Sequence, residues 1–184
     1  MSEHSLAPTL LLSMPQLHDP NFAQTVVLLC QHSEEGAFGL VMNRPVTTTA
    51  KVMAHGTIDE ASEHELEVWI GGPVEPDRSW ILLPDDDSDD EAIRVCEGVF
   101  LSTSASVLQR IIDHDADDRT RLIAGYAGWG PGQLDAEIAA GAWVPVPLDE
   151  AILFDDDIDK KWENAFARSG LSMVGSMMRG GGEA

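Results

Sequence analysis

The residues of this chain whose types and spacing could do chemistry fall in four places. Cys30 and His32 stand two apart, and on a strand their side chains would share a face. A thiol beside an imidazole is the arrangement that activates a nucleophilic cysteine. No third, orienting residue can be named, and a buried cysteine next to a loop histidine gives the same pattern. Gly71-Gly72-Pro73-Val74, after a strand-like run, could turn backbone N–H groups towards an anion or an oxyanion, or could simply permit a turn. Gly125-Tyr126-Ala127-Gly128-Trp129-Gly130-Pro131-Gly132-Gln133-Leu134 is the most unusual stretch: it holds the only Tyr, one of five Trp and four glycines. A strand-to-helix junction of this kind can present N–H groups and aromatic faces at the mouth of a site, or form a tight turn whose aromatics cap the core.

The fourth place is acidic. Asp85 to Glu91 nearly follows a calcium-loop pattern, with Asp86, Ser88 and Asp90 alternating and Glu97 at its end. But Glu91 occupies the position where the sharp turn needs glycine, and a strand precedes it, so a solvated loop is expected. Asp155 to Asp159 precedes a helical pattern; Asp157 suits its cap, and the acids suit the positive end of its dipole. The remaining histidines (His4, His18, His55, His64, His114) show no metal spacing, and no P-loop, dinucleotide or Gly-x-Ser-x-Gly pattern occurs. No metal, cofactor or catalytic residue is therefore assigned.

These places need a scaffold. The chain has 184 residues, 43% of them hydrophobic, which suits one globular domain. Acidic residues outnumber basic ones 32 to 11, for a net charge of -21 and a pI near 4.3. That balance speaks against a phosphate-neutralising grip on DNA or RNA. Its Lys-poor, Asp-rich character suits a salt-rich environment that screens self-repulsion. Met1 to Leu6 lacks the basic residues of a secretory signal, and no run approaches the ~18 apolar residues of a membrane span. With two cysteines read as reduced thiols, a cytoplasmic protein with no membrane partner is expected.

Apolar runs predict strands over Thr9–Met14, Gln24–Gln31, Ala37–Met42, Glu65–Ile70, Ser79–Leu83, Val95–Leu101, Leu122–Tyr126 and Ala142–Val146. Asn43-Arg44-Pro45 stops the third, and the polar segment 46–65 is ambiguous, with one short helix as a reading it admits. Val107, Leu108, Ile111 and Ile112 share a helical face behind Thr103 or Ser104 as N-cap, and a helix over Pro131–Ala140 would have Pro131 first and Gly141 as cap. Ile158, Trp162 and Phe166 mark a last helix that Gly170 closes. This order fits α+β better than regular βαβ alternation. Residues 1–171 read as one domain, and 172–184, Met- and Gly-rich, as a disordered tail.

The stretch from Gly125 to Leu134 resembles the AlgH/YqgE family of small bacterial proteins. Agreement in order extends to Asp19-Pro20-Asn21-Phe22, Thr25-Val26-Val27-Leu28-Leu29 with His32, Gly36-Ala37-Phe38-Gly39-Leu40-Val41-Met42-Asn43-Arg44-Pro45, Gly71-Gly72-Pro73-Val74 and Trp143. The resemblance covers roughly Ala7 to Phe166. It implies an α+β single domain with a mixed, bifurcated, partly barrel-like sheet surrounded by helices. Some members carry the label of transcriptional regulator; the family supplies no established catalytic residues. The shared motifs make His32, Asn43, Arg44, Gly71, Gly72, Gly125, Tyr126, Gly128, Trp129 and Gln133 the candidate ligand- or partner-binding residues.

The leading expectation is a non-enzymatic regulatory or binding protein that acts through a protein partner. A small-molecule binder or enzyme is the alternative, with a pocket at the Gly-rich loops where Asn43 and Tyr126 hydrogen-bond, Trp129 stacks and His32 carries a proton. Direct DNA binding comes third, because of the charge.

Overall fold

The structure is a computed structural model and describes residues 5–54, 57–86, 89–113, 118–155 and 157–170. Along the chain come strands β1 (Thr9–Ser13), β2 (Val26–Ser33), β3 (Gly36–Val41), β4 (Pro45–Ala54), β5 (Thr57–Ile70), β6 (Val74–Leu83), β7 (Ile93–Cys96) and β8 (Val99–Ser102). Helix α1 (Ala105–Ile112), β9 (Arg121–Trp129), α2 (Gln133–Ala139), β10 (Trp143–Val146) and α3 (Lys161–Arg168) follow. A π-helical turn, Ala151–Asp155, and a 3-10 turn, Ile158–Lys160, lead into α3. The contacts divide the chain into two compact units: Met1–Arg44 with Gly71–Glu75 and Tyr126–Ala184, and Pro45–Ile70 with Pro76–Gly125.

In the first unit the strands pair antiparallel in the order β10-β1-β2-β3-β9. Leu10, Leu11 and Leu12 in β1 and Val26 to Leu29 in β2 are fully buried. Such runs are apolar without alternation because both sheet faces are covered. On one face Leu11, Val27, Leu29, Val41, Ala127, Trp129, Leu134 and Trp143 form a cluster. Helix α3 buries Trp162, Ala165 and Phe166, and the Trp162 indole donates to Ser13 O at 2.9 Å. The first residue of α3, Lys161, is 1% exposed. Its Nζ donates to Ile152 O and to Leu153 O, the latter at 2.9 Å, so the ammonium meets carbonyls of the π-helical turn. These acceptors replace water and offset the cost of burying that charge.

In the second unit β4 and β5 form a long antiparallel hairpin running from Pro45↔Trp69 to Ala54↔Thr57. The end of β5 pairs in parallel with the start of β9 (Val68↔Leu122, Ile70↔Ala124), so the pairing is mixed, as expected. Strands β6, β8 and β7 pair antiparallel. Val107 and Ile112 of α1 pack with Ile81, Leu83 and Leu122 in the unit's buried cluster. The Asp89 carboxylate accepts from the Ser102 hydroxyl and from Glu91 N (3.0 Å), anchoring the end of the acidic loop.

The α+β class holds, but several elements differ from expectation. The sheet is not surrounded by helices: among the described residues α1 alone is an α-helix in the second unit, and α2 and α3 in the first. The main reason is segment 46–65, which is not a helix; its Thr- and Val-bearing stretch pairs with the chain that follows as β4 and β5. Val95–Leu101 is not one strand either. Gly98, at φ 75, reverses the chain between β7 and β8. The second helix begins at Gln133 rather than Pro131, because Gly132 (φ 70) takes the left-handed conformation at its N-cap. Gly141 (φ 80) and Gly170 (φ 74) fall at helix ends as expected, and Asp157 caps the turn before α3 by accepting from Asp159 N at 3.0 Å. The tail 172–184, Asp87 and Ser88 of the acidic loop, and His55 and His114 lie outside the described residues.

Candidate functional site

The candidate residues belong to the first unit, except Gly125, which the chain's division leaves in the second. His32 sits where β2 emerges from the core; its side chain is 6% exposed. Leu6 N donates to its Nδ1 at 3.0 Å. A backbone N–H can only donate, so Nδ1 is the unprotonated nitrogen and Nε2 carries the hydrogen. That nitrogen faces the Asp135 carboxylate at 3.3 Å, at the start of α2. Both ring nitrogens are therefore committed, and moving a proton onto Nδ1 would break the bond that holds Leu6. The register of β2 shifts between Leu29 and Gln31, and the Cys30 thiol lies 3.5 Å from Leu28 O.

Asn43 and Arg44 follow β3 and grip the loop before β2. Asn43 Oδ1 accepts from Val26 N (3.0 Å), and its Nδ2 donates to Gln24 O (2.9 Å). Gln24 has φ 55, a left-handed conformation costly for a residue with a side chain, so the bonds from Asn43 offset local strain. Arg44 donates to Pro20 O (3.0 Å), Asn21 O (2.6 Å) and Ala23 O (2.9 Å). Desolvation lowers its pKa from the ordinary value, while the nearby Asp19 charge opposes that shift. Asp19 itself accepts from Asn21 N at 2.8 Å, closing an Asx turn. The result is the placement of Phe22, whose ring stacks at 6.5 Å from Trp129 and meets Trp143 edge-on at 5.5 Å.

Trp129 is 7% exposed, so it is a core residue and not an open stacking face. Its indole N–H donates to Glu137 Oε2 at 2.6 Å, and its ring meets Trp143 at 5.8 Å in a T-shaped contact. Gln133 closes the turn before α2: its Oε1 accepts from Gly130 N (3.0 Å) and its Nε2 reaches Glu137 Oε1 at 3.4 Å. Gly71 and Gly72 form no open anion cradle. Gly71 O accepts from Val41 N at 2.8 Å, and both glycines are buried. Gly72 (φ 153) passes so close to β9 that a Cβ there would overlap Tyr126 C and O and lie 2.5 Å from Ala127 N. Gly36 (φ 142) abuts the Trp129 carbonyl in the same way. Gly125 (φ 73) bends β9 just before Tyr126.

Tyr126 and Gly128 face the other way from Ala127 and Trp129, since alternate strand residues point to opposite faces. The Tyr126 ring lies 5.1 Å from that of Phe38, tilted by 47°. Thus Gly36, Gly72 and the strand from Tyr126 to Gly130 come together through their backbones, whereas Asn43 and Arg44 turn to the loop before β2. Sequence reasoning missed Phe22, Phe38, Asp135, Glu137 and Lys161. Each acts through a partner distant in sequence or hidden by ordinary-looking surroundings; only the i, i+4 spacing of Gln133 and Glu137 was locally visible.

With the geometry in view, comparison with known proteins is decisive on kinship. Residues 10–174 match the AlgH-like family. The chain belongs to that family. Its AlgH-like relatives include UPF0301 proteins from Thioalkalivibrio sulfidiphilus, 40% identical over 165 residues that span 89% of each chain, and from Anaeromyxobacter sp., 40% identical over 190 residues that span 96% of this chain and 94% of that one. The solution structure of the AlgH protein from Pseudomonas aeruginosa superposes with a TM-score of 0.76 at 34% identity, covering 100% of this chain and 98% of that one. A crystal structure of a Corynebacterium diphtheriae protein shares the fold, with a TM-score of 0.66 at 20% identity, covering 96% of this chain and 93% of that one. Of the AlgH-like signature, Asn43 and Arg44 bond to the chain's own backbone, and His32, Trp129 and Gln133 also reach its Asp135 and Glu137 carboxylates. Among the described residues no group of three or more His, Cys, Asp and Glu is placed to hold a metal, and no helix is long and apolar enough to cross a membrane.

Proposed function

We propose that this chain is a non-enzymatic cytoplasmic protein with a binding or regulatory role, acting through a protein partner. The observation that carries the reading is the commitment of the candidate polar groups. His32 uses both nitrogens, Asn43 both ends of its amide, Arg44 its guanidinium and Gln133 its amide, all on neighbouring parts of the fold. General acid–base or nucleophilic catalysis needs a group within reach of substrate that can gain or lose a proton. His32 could do so only by releasing Leu6. These facts weigh against the enzyme alternative, in which His32 carries the proton and Trp129 stacks. A net charge of -21 weighs equally against direct DNA binding, and favours a partner met through protein surface.

The test is co-purification of the tagged chain from its own cells, at low and moderate salt, with quantitative mass spectrometry. A partner enriched reproducibly over an unrelated acidic control protein supports the reading. No such partner in either salt, together with turnover of a metabolite by the purified chain, would overturn it.

A further inference from the structure

Residues 5–8 run ahead of β1, whose ladder with β2 begins at Thr9↔Leu29. Among the described residues, one hydrogen bond ties this segment to the rest of the first unit: Leu6 N donates to His32 Nδ1. Leu6 and Ala7 are half-buried and pack against the apolar cluster that holds Leu29, Trp129 and Leu134. The segment is therefore a strap, laid on the apolar side of the unit and fastened at a histidine.

That fastening depends on the protonation of one ring nitrogen. In the neutral imidazole with its hydrogen on Nε2, Nδ1 accepts from Leu6. The imidazolium carries hydrogen on both nitrogens, so Nδ1–H would meet the Leu6 N–H donor against donor. The ring is buried, and water cannot take over the lost bond while the strap is down. The charged neighbours pull the other way. Asp135, at the start of α2, faces Nε2 at 3.3 Å, and its charge favours the imidazolium. Glu34 and Glu35, exposed in the turn after β2, carry the same sign. Glu137, the other acid of α2, is engaged by the Trp129 indole and Gln133. Strand β3 sets uncharged Ala37 opposite His32, and residues 5–8 bear no charged side chain. A proton on His32 is favoured by the acids and opposed by the strap.

We propose that His32 is a pH-sensitive latch: a proton taken from solvent onto Nδ1 breaks the bond to Leu6, and the strap lifts off the apolar cluster while β1 stays paired. Docking of the strap is fully present at high pH, where the ring is neutral, and is lost as the pH falls through the range in which the ring takes its proton. The general trend of the molecule runs against such loosening. Its charge of -21 shrinks in acid, which eases self-repulsion. Release confined to residues 5–8 is thus the mark of the latch.

The test follows amide exchange and the His32 ring of the full ¹⁵N-labelled chain between about pH 8 and about pH 5. Protection of the Leu6 amide, relative to an unstructured chain, should fall about tenfold per pH unit below the ring's midpoint, because one proton is linked to release. The buried Leu12 and Leu28 of the β1–β2 ladder should stay protected. His32→Asn puts an acceptor that does not titrate near the place of Nδ1, and Leu6 protection should then be independent of pH. Asp135→Asn, at an exposed side chain, removes the charge that favours the imidazolium, so release should begin at lower pH. Should His32→Asn fail to fold, the wild-type profile and Asp135→Asn decide. Leu6 protection that is flat with pH, falls together with Leu12 and Leu28, or falls as steeply in His32→Asn overturns the latch. So does a ring that titrates with no change at Leu6, or a midpoint that Asp135→Asn leaves unmoved. The readout needs only the chain itself, so a failed co-purification removes the partner reading and leaves the latch standing.

Discussion

Replacing Gly72 and Gly128 separately by alanine should move stability in opposite directions, although both glycines lie in shared family motifs. At Gly72 the backbone has φ 153, and a Cβ would overlap Tyr126 C and O, which belong to a paired strand and cannot rotate away. Holding a non-glycine residue in such a conformation costs about 1–3 kcal/mol. Forcing a methyl group against fixed atoms adds a further ~1–3 kcal/mol. The sum is roughly 2–6 kcal/mol, and for a chain of this length each kcal/mol lowers Tm by about 2–4 °C. Even a mid-range loss near ~3 kcal/mol would lower Tm by roughly 6–12 °C. At Gly128 there is neither strain nor overlap, and removing a glycine from a strand should gain about 0.5–1 kcal/mol. Urea unfolding followed by far-UV circular dichroism, with the m-value held in common, measures both. If Gly72→Ala melts within ~2 °C of the wild type, or Gly128→Ala loses as much as Gly72→Ala, the division of glycines into required and dispensable is refuted.

Further predictions concern single contacts. Lys161→Met leaves Ile152 O and Leu153 O without their buried donor and should cost about 2–4 kcal/mol; urea unfolding showing a loss below ~0.5 kcal/mol would contradict the assignment. Glu137→Ala orphans the Trp129 indole N–H and should cost about 1–3 kcal/mol by the same assay. Arg44→Lys keeps the charge but not the fork that reaches three carbonyls, so about 1–2 kcal/mol should be lost and the amides of Asn21–Gln24 should exchange faster. The charge of -21 should make Tm rise between 0.1 and ~1 M salt, as the Debye length falls from about 10 to about 3 Å. A flat or falling Tm would show that self-repulsion does not limit stability.

Much of the strand framework was legible because its signals are local. Leu10–Leu12 and Val26–Leu29 are unbroken apolar runs, and Gly141 and Gly170 mark helix ends by their left-handed conformation. Segment 46–65 was not legible, because its pairing as β4 and β5 is fixed by cross-strand partners and not by its own periodicity. Gly98 read as an interruption of one strand because turn and bulge draw on the same residue. The motif residues were recognisable as a set, but their roles were hidden in pairings distant along the chain. The sequence pattern fits His32 as a proton carrier, but Leu6 N occupies its Nδ1; it fits Trp129 as a stacking face, but Phe22 and Trp143 lie against that ring. Types and spacing show which groups could do chemistry; only their partners show which are already spent.

The central claim, that the signature holds the scaffold and leaves no free proton carrier among the candidates, is tested most directly at His32. Long-range ¹H–¹⁵N correlation of the imidazole ring, at a pH where it is neutral, reports the tautomer. The account predicts a single form with hydrogen on Nε2, Nδ1 accepting, and a slowly exchanging Leu6 amide. Hydrogen on Nδ1, or rapid averaging between the two forms, would contradict it and return His32 to the reactive groups of the protein.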